Sequence, residues 1–215
     1  MLYKNKIEID QVKKLKVEVI KSKTDLERMS PFYVNNLLWG TVKCPRTYGY
    51  IACLKNEAIL IKMICEESNP HRTYNAPNDP VYLDSAVEAF LLFHTQNSEK
   101  AGIYLNFEVN SNGAMLAAYG KNRKGRTFIS DEIRKEIGCE ANILDGCWTV
   151  ELEIPLNALK QIYGSVRLEK GEKFYCNFYK IAEKNEIKHF ASYARVESET
   201  PNFHLPEFFE EAEII

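Results

Sequence analysis

Carboxylate, amide and tyrosine side chains interrupt segments of the sequence that are otherwise apolar. Glu88 is the single charged residue within 86–93, and since an unpaired charge is costly to bury, it must face a partner or a cavity. Planar groups that donate and accept hydrogen bonds suit sugar hydroxyls, and aromatic rings suit the apolar faces of pyranose rings. Hydrogen-bond donors and acceptors are supplied by Glu88, Asn106, Glu108, Asn177 and Lys180, and flat ring faces by Tyr82, Tyr104, Tyr179 and Tyr193.

Paired carboxylates indicate a second chemistry, glycoside hydrolysis, which needs two carboxyl groups about 5 to 9 Å apart. Asp84 and Glu88 are four positions apart, so a regular strand separates their backbones by about 13 Å, too far for a catalytic pair. Glu108 could approach Glu88 from a neighbouring strand. A glycoside hydrolase that uses Glu88 and Glu108 is therefore the alternative to a protein that binds sugar without transforming it. The sequence contains no Gly-rich phosphate loop, His-Glu-x-x-His or Gly-x-Ser-x-Gly motif, and its scattered histidines are expected to be structural.

Strands must position these side chains, because the strongest hydrophobic period along the chain is two residues. Alternation predicts strands at 59–66, 103–110, 148–154 and 174–181, and the apolar segment 86–93 predicts a central strand. Tyr82 and Glu88 are separated by an even number of residues, so a regular strand puts them on one face together with Asp84. Asn177 and Lys180 are an odd number apart, so a regular strand points them to opposite faces.

Helix signals along the chain are short. A capping box predicts a helix start at 24–27, and two-turn helices are predicted at 130–137 and 155–163, each followed by a glycine. The Pro- and Asn-rich stretch 69–80 lies between two strong strands and is predicted to be a functional loop. These patterns predict an all-β fold, an antiparallel, jelly-roll-like β-sandwich with a few short helices, in a single domain over residues 1–215.

Charge and cysteine content exclude several classes of protein. The chain has 28 basic and 30 acidic residues, a net charge of −2, which leaves no electrostatic footprint for a nucleic acid backbone. Its uncharged apolar runs are shorter than the ~20 residues that span a bilayer. The first six residues contain no apolar signal segment, so we expect a cytoplasmic protein that binds neither nucleic acid nor membrane. In a reducing compartment the six cysteines are expected to be unpaired, and the sequence sets no oligomeric state.

Three sequence blocks, in order, resemble a known family. Val-Tyr-Leu-Asp-Ser-Ala-Val-Glu-Ala-Phe at 81–90 resembles the Asp-Ser-x-Val-Glu-x-Phe signature of the family 9 carbohydrate-binding modules. Tyr-Leu-Asn-Phe-Glu-Val-Asn at 104–110 is similar to the strand that follows this signature. Three further segments resemble the C-terminal signature of the family: Asn-Phe-Tyr-Lys at 177–180, His-Phe-Ala-Ser-Tyr at 189–193 and Thr-Pro-Asn-Phe-His-Leu-Pro-Glu-Phe-Phe at 200–209.

The resemblance implies an antiparallel β-sandwich that binds a mono- or oligosaccharide, such as a glycan end, on a concave sheet face. The founding modules are attached to xylanases and hold a glycan end between two tryptophans, with structural calcium ions nearby. By this likeness Glu88 is the hydrogen-bonding glutamate, and Tyr82 and Tyr193 replace the two tryptophans with smaller platforms. Asp79 and Asp84 are the candidate calcium ligands.

The predicted ligand-binding residues are therefore Tyr82, Glu88, Asn106, Glu108, Asn177 and Tyr193. A third interpretation is a sensory or structural domain that keeps the fold and binds a partner protein. A concave face that is flat or filled would favour that interpretation, because it would leave no space for a sugar.

Overall fold

Strands make up most of the regular structure in the computed structural model, which describes residues 14–184 and 188–215. The strands are β1 (Leu15–Ile20), β2 (Phe32–Tyr33), β3 (Asn36–Leu37), β4 (Thr47–Leu54), β5 (Ala58–Cys65), β6 (Ser85–Phe93), β7 (Tyr104–Asn110), β8 (Met115–Gly120), β9 (Thr127–Phe128), β10 (Gly138–Leu144), β11 (Cys147–Pro155), β12 (Lys173–Ala182), β13 (His189–Ser192) and β14 (Glu210–Ile214). The helices in the described residues are α1 (Asp131–Glu136), α2 (Leu156–Tyr163) and the 3-10 helices Lys23–Arg28, Val81–Leu83 and Pro206–Phe208. None of these helices has the length and apolar character needed to cross a membrane. The expectation about a secretory signal rests on residues 1–6, which lie outside the described residues.

The strands form two sheets that pack on a common core and share β1. The front sheet has the order β14-β12-β6-β7-β8-β9, and β13 and β3 extend it beside the second half of β12. The back sheet has the order β10-β11-β5-β4, and the remaining edge of β4 pairs with β2 and β1. Among the described strands every pairing is antiparallel except those of β1, which runs parallel to β14 and to β4. The predicted all-β sandwich is confirmed, with β1 as a parallel bridge between the sheets.

The core between the sheets is built from alternate residues of the strands, as a period of two requires. Leu91 and Phe107 of the front sheet and Ile61 and Trp148 of the back sheet belong to this cluster of buried side chains. β6 lies between β12 and β7, so the predicted central strand is confirmed. The six cysteines, all of which lie in the described residues, are free thiols as expected.

The other face of the front sheet carries polar side chains. Glu88 on β6, and Asn106 and Glu108 on β7, alternate with the core residues of the same strands. All three are buried. Residues of the segment 196–209, together with Trp39, pack on the aromatic side chains of this face. The fold thus places a covered, polar floor on the side opposite to the main core.

A buried lysine lies where the two sheets meet. Lys180 on β12 has no solvent exposure, and its ammonium group donates to Ser85 Oγ at 2.6 Å, His189 Nε2 at 3.0 Å and the Ile181 carbonyl at 3.1 Å. Ser85 Oγ donates in turn to Glu67 Oε2 at 2.5 Å, which lies 3.9 Å from the ammonium group. Burial opposes ionisation of Glu67, but Lys180 and the hydrogen bonds lower its pKa below the ordinary value. The network is therefore an ion pair bridged by a hydroxyl group, in which Lys180 is fully buried and the Glu67 side chain is 16% exposed.

One helix start differs from its prediction. The helix near Thr24 is a 3-10 helix, and its N-cap is Ser22, whose hydroxyl accepts the Thr24 N–H at 3.3 Å. Glu27 forms an ion pair with Lys62 at 2.8 Å. The other two helices lie within the predicted ranges, and α2 ends at Gly164, whose φ of +81° favours glycine.

We expect the chain to unfold as one cooperative unit, because the two sheets share β1 and a single core. Urea unfolding would be followed by tryptophan fluorescence and by far-UV circular dichroism. Trp39 reports on the covered outer face and Trp148 on the main core. The expected result is two superimposable transitions, and two separated transitions would contradict the prediction of a single domain.

Candidate functional site

A cavity of about 310 Å³ lies on the outer face of the front sheet and is lined by Glu88 and Glu108. Its floor includes residues of β6, β7 and β8 that alternate with the core residues of those strands. Its walls include Trp39, residues of the stretch 123–128 and the segment 201–204, which are distant in the sequence. The sheet thus supplies a rigid base, and loops supply groups around it.

Glu88 and Glu108 are directly opposed on β6 and β7. Opposed residues of an antiparallel pair have Cβ atoms about 4.5–5.5 Å apart, so the two carboxyl groups share one small region. Glu88 is 3% exposed and Glu108 4% exposed. In the part of the chain that the structure describes, the Glu88 carboxyl group forms no hydrogen bond and no ion pair. Glu88 is therefore a buried, unpartnered polar group that faces a cavity.

Glu108 is held by two consecutive hydrogen bonds. Arg126 donates to Asn106 Oδ1, which orients the amide so that Nδ2 donates to Glu108 Oε1 at 2.8 Å. The Arg126 guanidinium also donates to the carbonyls of Ala118 at 3.3 Å and Tyr104 at 3.4 Å, and it lies 4.3 Å from the centre of the Tyr104 ring. Asn106 thus uses both ends of its amide within the protein, and its role here is to position Glu108.

Burial and the proximity of other carboxyl groups favour the neutral, protonated form of Glu88 and Glu108. Burial, and secondly the charge of Glu108, raise the pKa of Glu88 well above its ordinary value. Burial raises the pKa of Glu108 to about 7, against the hydrogen bond from Asn106 and the positive charges of Arg126 and Arg123. Both shifts favour the protonated form, and with a pKa of about 7 Glu108 is present in both forms at neutral pH. Such a pair can donate and accept hydrogen bonds at adjacent positions.

Aromatic rings line the walls of the cavity. Tyr82, on the 3-10 helix Val81–Leu83, is 36% exposed, and Phe128 on β9 is also exposed. Trp39 packs against two further wall residues, with ring centroids 5.3 Å from Phe190 and 5.2 Å from Phe203. The Trp39 indole Nε1 donates to the Ser198 carbonyl at 2.8 Å, which ties the ring to the covering segment. Ring faces therefore stand beside a polar floor.

The loop that precedes Tyr82 is fixed by Asp84. The buried Asp84 Oδ2 accepts the N–H of Thr73 at 2.9 Å, the N–H of Tyr74 at 3.0 Å and the amide of Asn110 at 2.8 Å. Asp84 therefore faces this loop and does not line the cavity with Tyr82. The reason is local, since the chain turns through a 3-10 helix at 81–83 before β6 begins.

Asp79 and Asp84 are the predicted calcium ligands. Asp79 Oδ2 accepts the backbone N–H groups of Asn75 at 3.2 Å and Ala76 at 2.8 Å, as Asp84 does for its own part of the loop. The other Asp84 oxygen is buried without a hydrogen bond, 3.7 Å from His71 Nε2. In the described residues no three His, Cys, Asp or Glu side chains meet as a metal site. Calcium takes six to eight oxygen ligands, and these two carboxylates each use one oxygen on the loop, so calcium binding here stays a prediction.

Two of the predicted ligand residues lie outside the cavity. Asn177 is fully buried, and its amide donates to the carbonyls of Ala194 at 3.1 Å and Phe208 at 3.2 Å and accepts the Ala194 N–H at 2.9 Å. Tyr193 packs against Phe178 of the main core, with ring centroids 5.9 Å apart. Asn177 thus anchors the segment that covers the site. The structure brings together Tyr82, Glu88, Asn106 and Glu108.

Sequence reasoning missed residues that the loops bring to the cavity. Trp39 has a positive φ of +48° and lies with Gly40 in a turn, and a tryptophan next to a glycine could have suggested an aromatic side chain on a loop. His204, expected to be structural, bonds the Tyr104 hydroxyl at 3.0 Å but also lines the cavity. Burial lowers the pKa of His204 to about 3, so the ring is neutral. No sequence pattern pointed to Arg126, because it reaches the cavity only through a loop that folds back over the sheet.

Comparison with known families and structures agrees with this architecture. Residues 18–214 match carbohydrate-binding family 9. Among curated proteins, none matches this chain.

Solved structures show the same fold. A protein from Bacteroides uniformis described as a candidate carbohydrate-binding protein superposes with a TM-score of 0.82 at 22% identity, covering 94% of this chain and 99% of its own. A family 9 carbohydrate-binding module from Caldicellulosiruptor kristjanssonii, in complex with cellotriose, gives a TM-score of 0.62 at 12% identity, covering 94% of this chain and 93% of its own. The same module in complex with glucose also gives a TM-score of 0.62 at 12% identity, covering 93% of this chain and 95% of its own.

Proposed function

Because the chain belongs to carbohydrate-binding family 9, we propose that it binds carbohydrate without transforming it, in the cavity on the outer face of the front sheet. The observation that carries the proposal is Glu88, a buried and unpartnered carboxyl group that faces a cavity with aromatic walls. A pyranose has polar edges and apolar faces, and this cavity supplies a partner for each. A cavity of about 310 Å³ is at the small end of ligand sites, so we infer that one sugar ring enters it.

Each group in the cavity has a distinct part in this proposal. Glu88 donates to and accepts from sugar hydroxyls, and Glu108 accepts through the oxygen that Asn106 leaves free. Tyr82 and Trp39 pack on the faces of the ring. Neutral sugars such as glucose and cellotriose, which are bound by the Caldicellulosiruptor module, are the first ligands to test.

Hydrolysis is the second candidate function, favoured by the proximity of Glu88 and Glu108. Glycosidases place their two carboxyl groups on either side of the scissile bond. Here both groups rise from adjacent positions of one sheet face, so both approach a sugar from the same side. This arrangement favours binding over hydrolysis.

The proposal is tested by calorimetric titration with glucose and cello-oligosaccharides, followed by a wider glycan array. Tyr82→Ala is expected to weaken binding by about tenfold to a hundredfold, because it removes the apolar contact of one ring face. Trp39 lines the cavity, so its fluorescence is expected to change as the sugar binds. Chromatography of the recovered sugar is expected to show no cleavage.

The matched control is Tyr33→Ala. Tyr33 on β2 is 44% exposed and does not line the cavity, so its loss is expected to leave affinity unchanged. If Tyr82→Ala and Tyr33→Ala bind every ligand as tightly as the parent, the sugar lies elsewhere. If no carbohydrate binds, the chain has kept the fold for another purpose, such as docking a partner protein.

The surroundings of the protein belong to the same proposal. We place it in the cytoplasm, supported by its six free thiols, and cell fractionation would test this. We also propose that it acts without contacting nucleic acid or membrane, and a relation to xylan degradation would be tested by including xylo-oligosaccharides on the array.

A further inference from the structure

The acidic groups around the cavity form no ion pair within residues 14–184 and 188–215. Three carboxyl groups line it, those of Glu88, Glu108 and Glu183, together with the guanidinium groups of Arg123 and Arg126. In the described residues no ion pair joins either arginine to any of the three. Among the residues that the structure describes, Glu88 therefore has no counter-ion in contact with it, although it is only 3% exposed.

Both arginines are committed to other acceptors. Arg123 is exposed at the rim and donates to the Pro201 carbonyl at 3.3 Å. Arg126 donates to Asn106 and to backbone carbonyls and stacks on the Tyr104 ring. Their charges ease the ionisation of Glu108 without removing the effect of burial. The carboxyl pair therefore remains the least compensated part of the cavity.

Other charged groups near the pair do not change this conclusion. Lys180 lies on the core side of β12 and is occupied by Ser85, His189 and Ile181. His204 is neutral, since burial lowers its pKa. Glu183 adds negative charge, which raises the pKa of both carboxyl groups further. A buried carboxylate is stable when a cation pairs with it, and here the ligand is the group that can bring one.

We propose that the preferred ligand is a sugar with a protonated amine, an amino sugar whose ammonium group lies between Glu88 and Glu108. This inference rests on the proposed function and names the class of sugar. The ring packs on Tyr82 and Trp39 as a neutral sugar would, and the ammonium group replaces one hydroxyl. An ammonium group donates three hydrogen bonds and carries the missing charge, whereas a uronic acid would add a further negative charge to the pair.

The first test compares three matched pairs of sugars at pH 7 by calorimetry: glucosamine with glucose, galactosamine with galactose, and mannosamine with mannose. An amine with a pKa of about 7.7–8.0 is largely protonated at this pH. Charge-assisted hydrogen bonds are stronger than neutral ones, so at least one amino sugar is expected to bind about tenfold more tightly than its neutral counterpart. The N-acetylated form of that sugar, which carries no charge, is expected to lose the gain.

The second test uses the double substitution Glu88→Gln and Glu108→Gln. Glutamine keeps the size and the hydrogen-bonding groups but cannot become negative, so the ratio of amino to neutral affinity is expected to fall to about one. Glu207→Gln is the matched control, because Glu207 is an exposed carboxylate of the covering segment that does not line the cavity. It is expected to keep the parent ratio. Melting curves establish that each variant is folded.

The outcomes separate this inference from the function on which it rests. If neutral sugars bind and no amino sugar binds more tightly, the inference is wrong and carbohydrate binding stands. If the double variant is folded and keeps the preference for the amine, the ammonium group lies away from this pair and the inference is wrong. If neither the amino nor the neutral sugars bind, nor any glycan of the array, both fail together.

Discussion

Replacing Lys180 by methionine is expected to lower the free energy of unfolding by about 3–5 kcal/mol, because removing one partner of a buried ion pair leaves the other uncompensated. Methionine fills the space of the aliphatic stem but donates no hydrogen bond to Ser85 Oγ. Glu67 then keeps the uncharged donors Ser85 Oγ at 2.5 Å, Trp148 Nε1 at 3.0 Å and Cys65 Sγ at 3.7 Å, without the ammonium group beside it. Urea denaturation of the parent and the variant measures the difference.

The control for this substitution is Lys173→Met on the same strand. Lys173 has a side chain 40% exposed and pairs with Glu211 at 3.2 Å, so its loss is expected to cost less than about 1 kcal/mol. Adding Glu67→Gln to Lys180→Met is expected to recover part of the lost stability, since the second change removes the unpaired charge. Equal losses for Lys180→Met and Lys173→Met would show that the buried network does not stabilise the fold.

Replacing Glu88 by glutamine is expected to stabilise the protein by about 1–2 kcal/mol at pH 8, although it changes a residue of the proposed binding site. Burial, and secondly Glu108, raise the pKa of Glu88 in the folded state well above its ordinary value. Above the ordinary pKa of about 4.3 the unfolded chain has lost this proton, while the folded chain still binds it. The free energy of unfolding therefore falls as pH rises through this range, and glutamine removes that contribution.

The measurement is the difference in unfolding free energy between parent and variant from pH 7 to pH 9. The charged and titratable groups around Glu88 are Glu108, Glu183, Arg123, Lys180, Tyr179 and His204. The difference cancels contributions that do not depend on the Glu88 charge, and it includes the effect of that charge on Glu108 and Tyr179. His204 acts in the opposite direction and at lower pH, because a depressed pKa removes stability as pH falls below about 6.5. Parallel curves for parent and variant would show that Glu88 does not titrate abnormally.

This result would also bear on binding. Since burial favours the protonated form of Glu88, glutamine offers a neutral sugar a similar donor and acceptor, and the affinity for neutral sugars is expected to stay within a few-fold. A carboxyl pair that lowers stability but faces a cavity is the kind of local conflict that marks functional sites. Its location on the sheet, with loops around it, is consistent with that interpretation.

Much of the fold follows from periodicity alone. A two-residue period determines which side chains of a strand share a face, so Glu88, Asn106 and Glu108 were correctly separated from the core residues beside them. The same rule placed Lys180 opposite to Asn177. An apolar segment with one charge predicted that Glu88 would face a partner or a cavity, because an unpaired charge is costly to bury in any fold, and the structure places it at a cavity.

Periodicity did not predict what happens where a strand ends. Asp84 faces the loop because a 3-10 turn precedes β6, and this turn breaks the even offset from Tyr82. Local hydrogen bonds decide such turns, and their effect on side-chain direction depends on the exact backbone angles.

The tertiary structure alone decided which residues surround the floor of the cavity. The sequence determined the alternation of faces, the buried charge of Glu88 and the likeness of its flanking residues to a sugar-binding signature. The sequence did not show that Tyr193 packs against Phe178 or that Asn177 anchors the covering segment. It also did not show that Trp39 and Arg126 lie over the sheet. Faces follow from the geometry of a single strand, whereas these contacts join residues far apart in the chain, so they depend on how the whole chain packs.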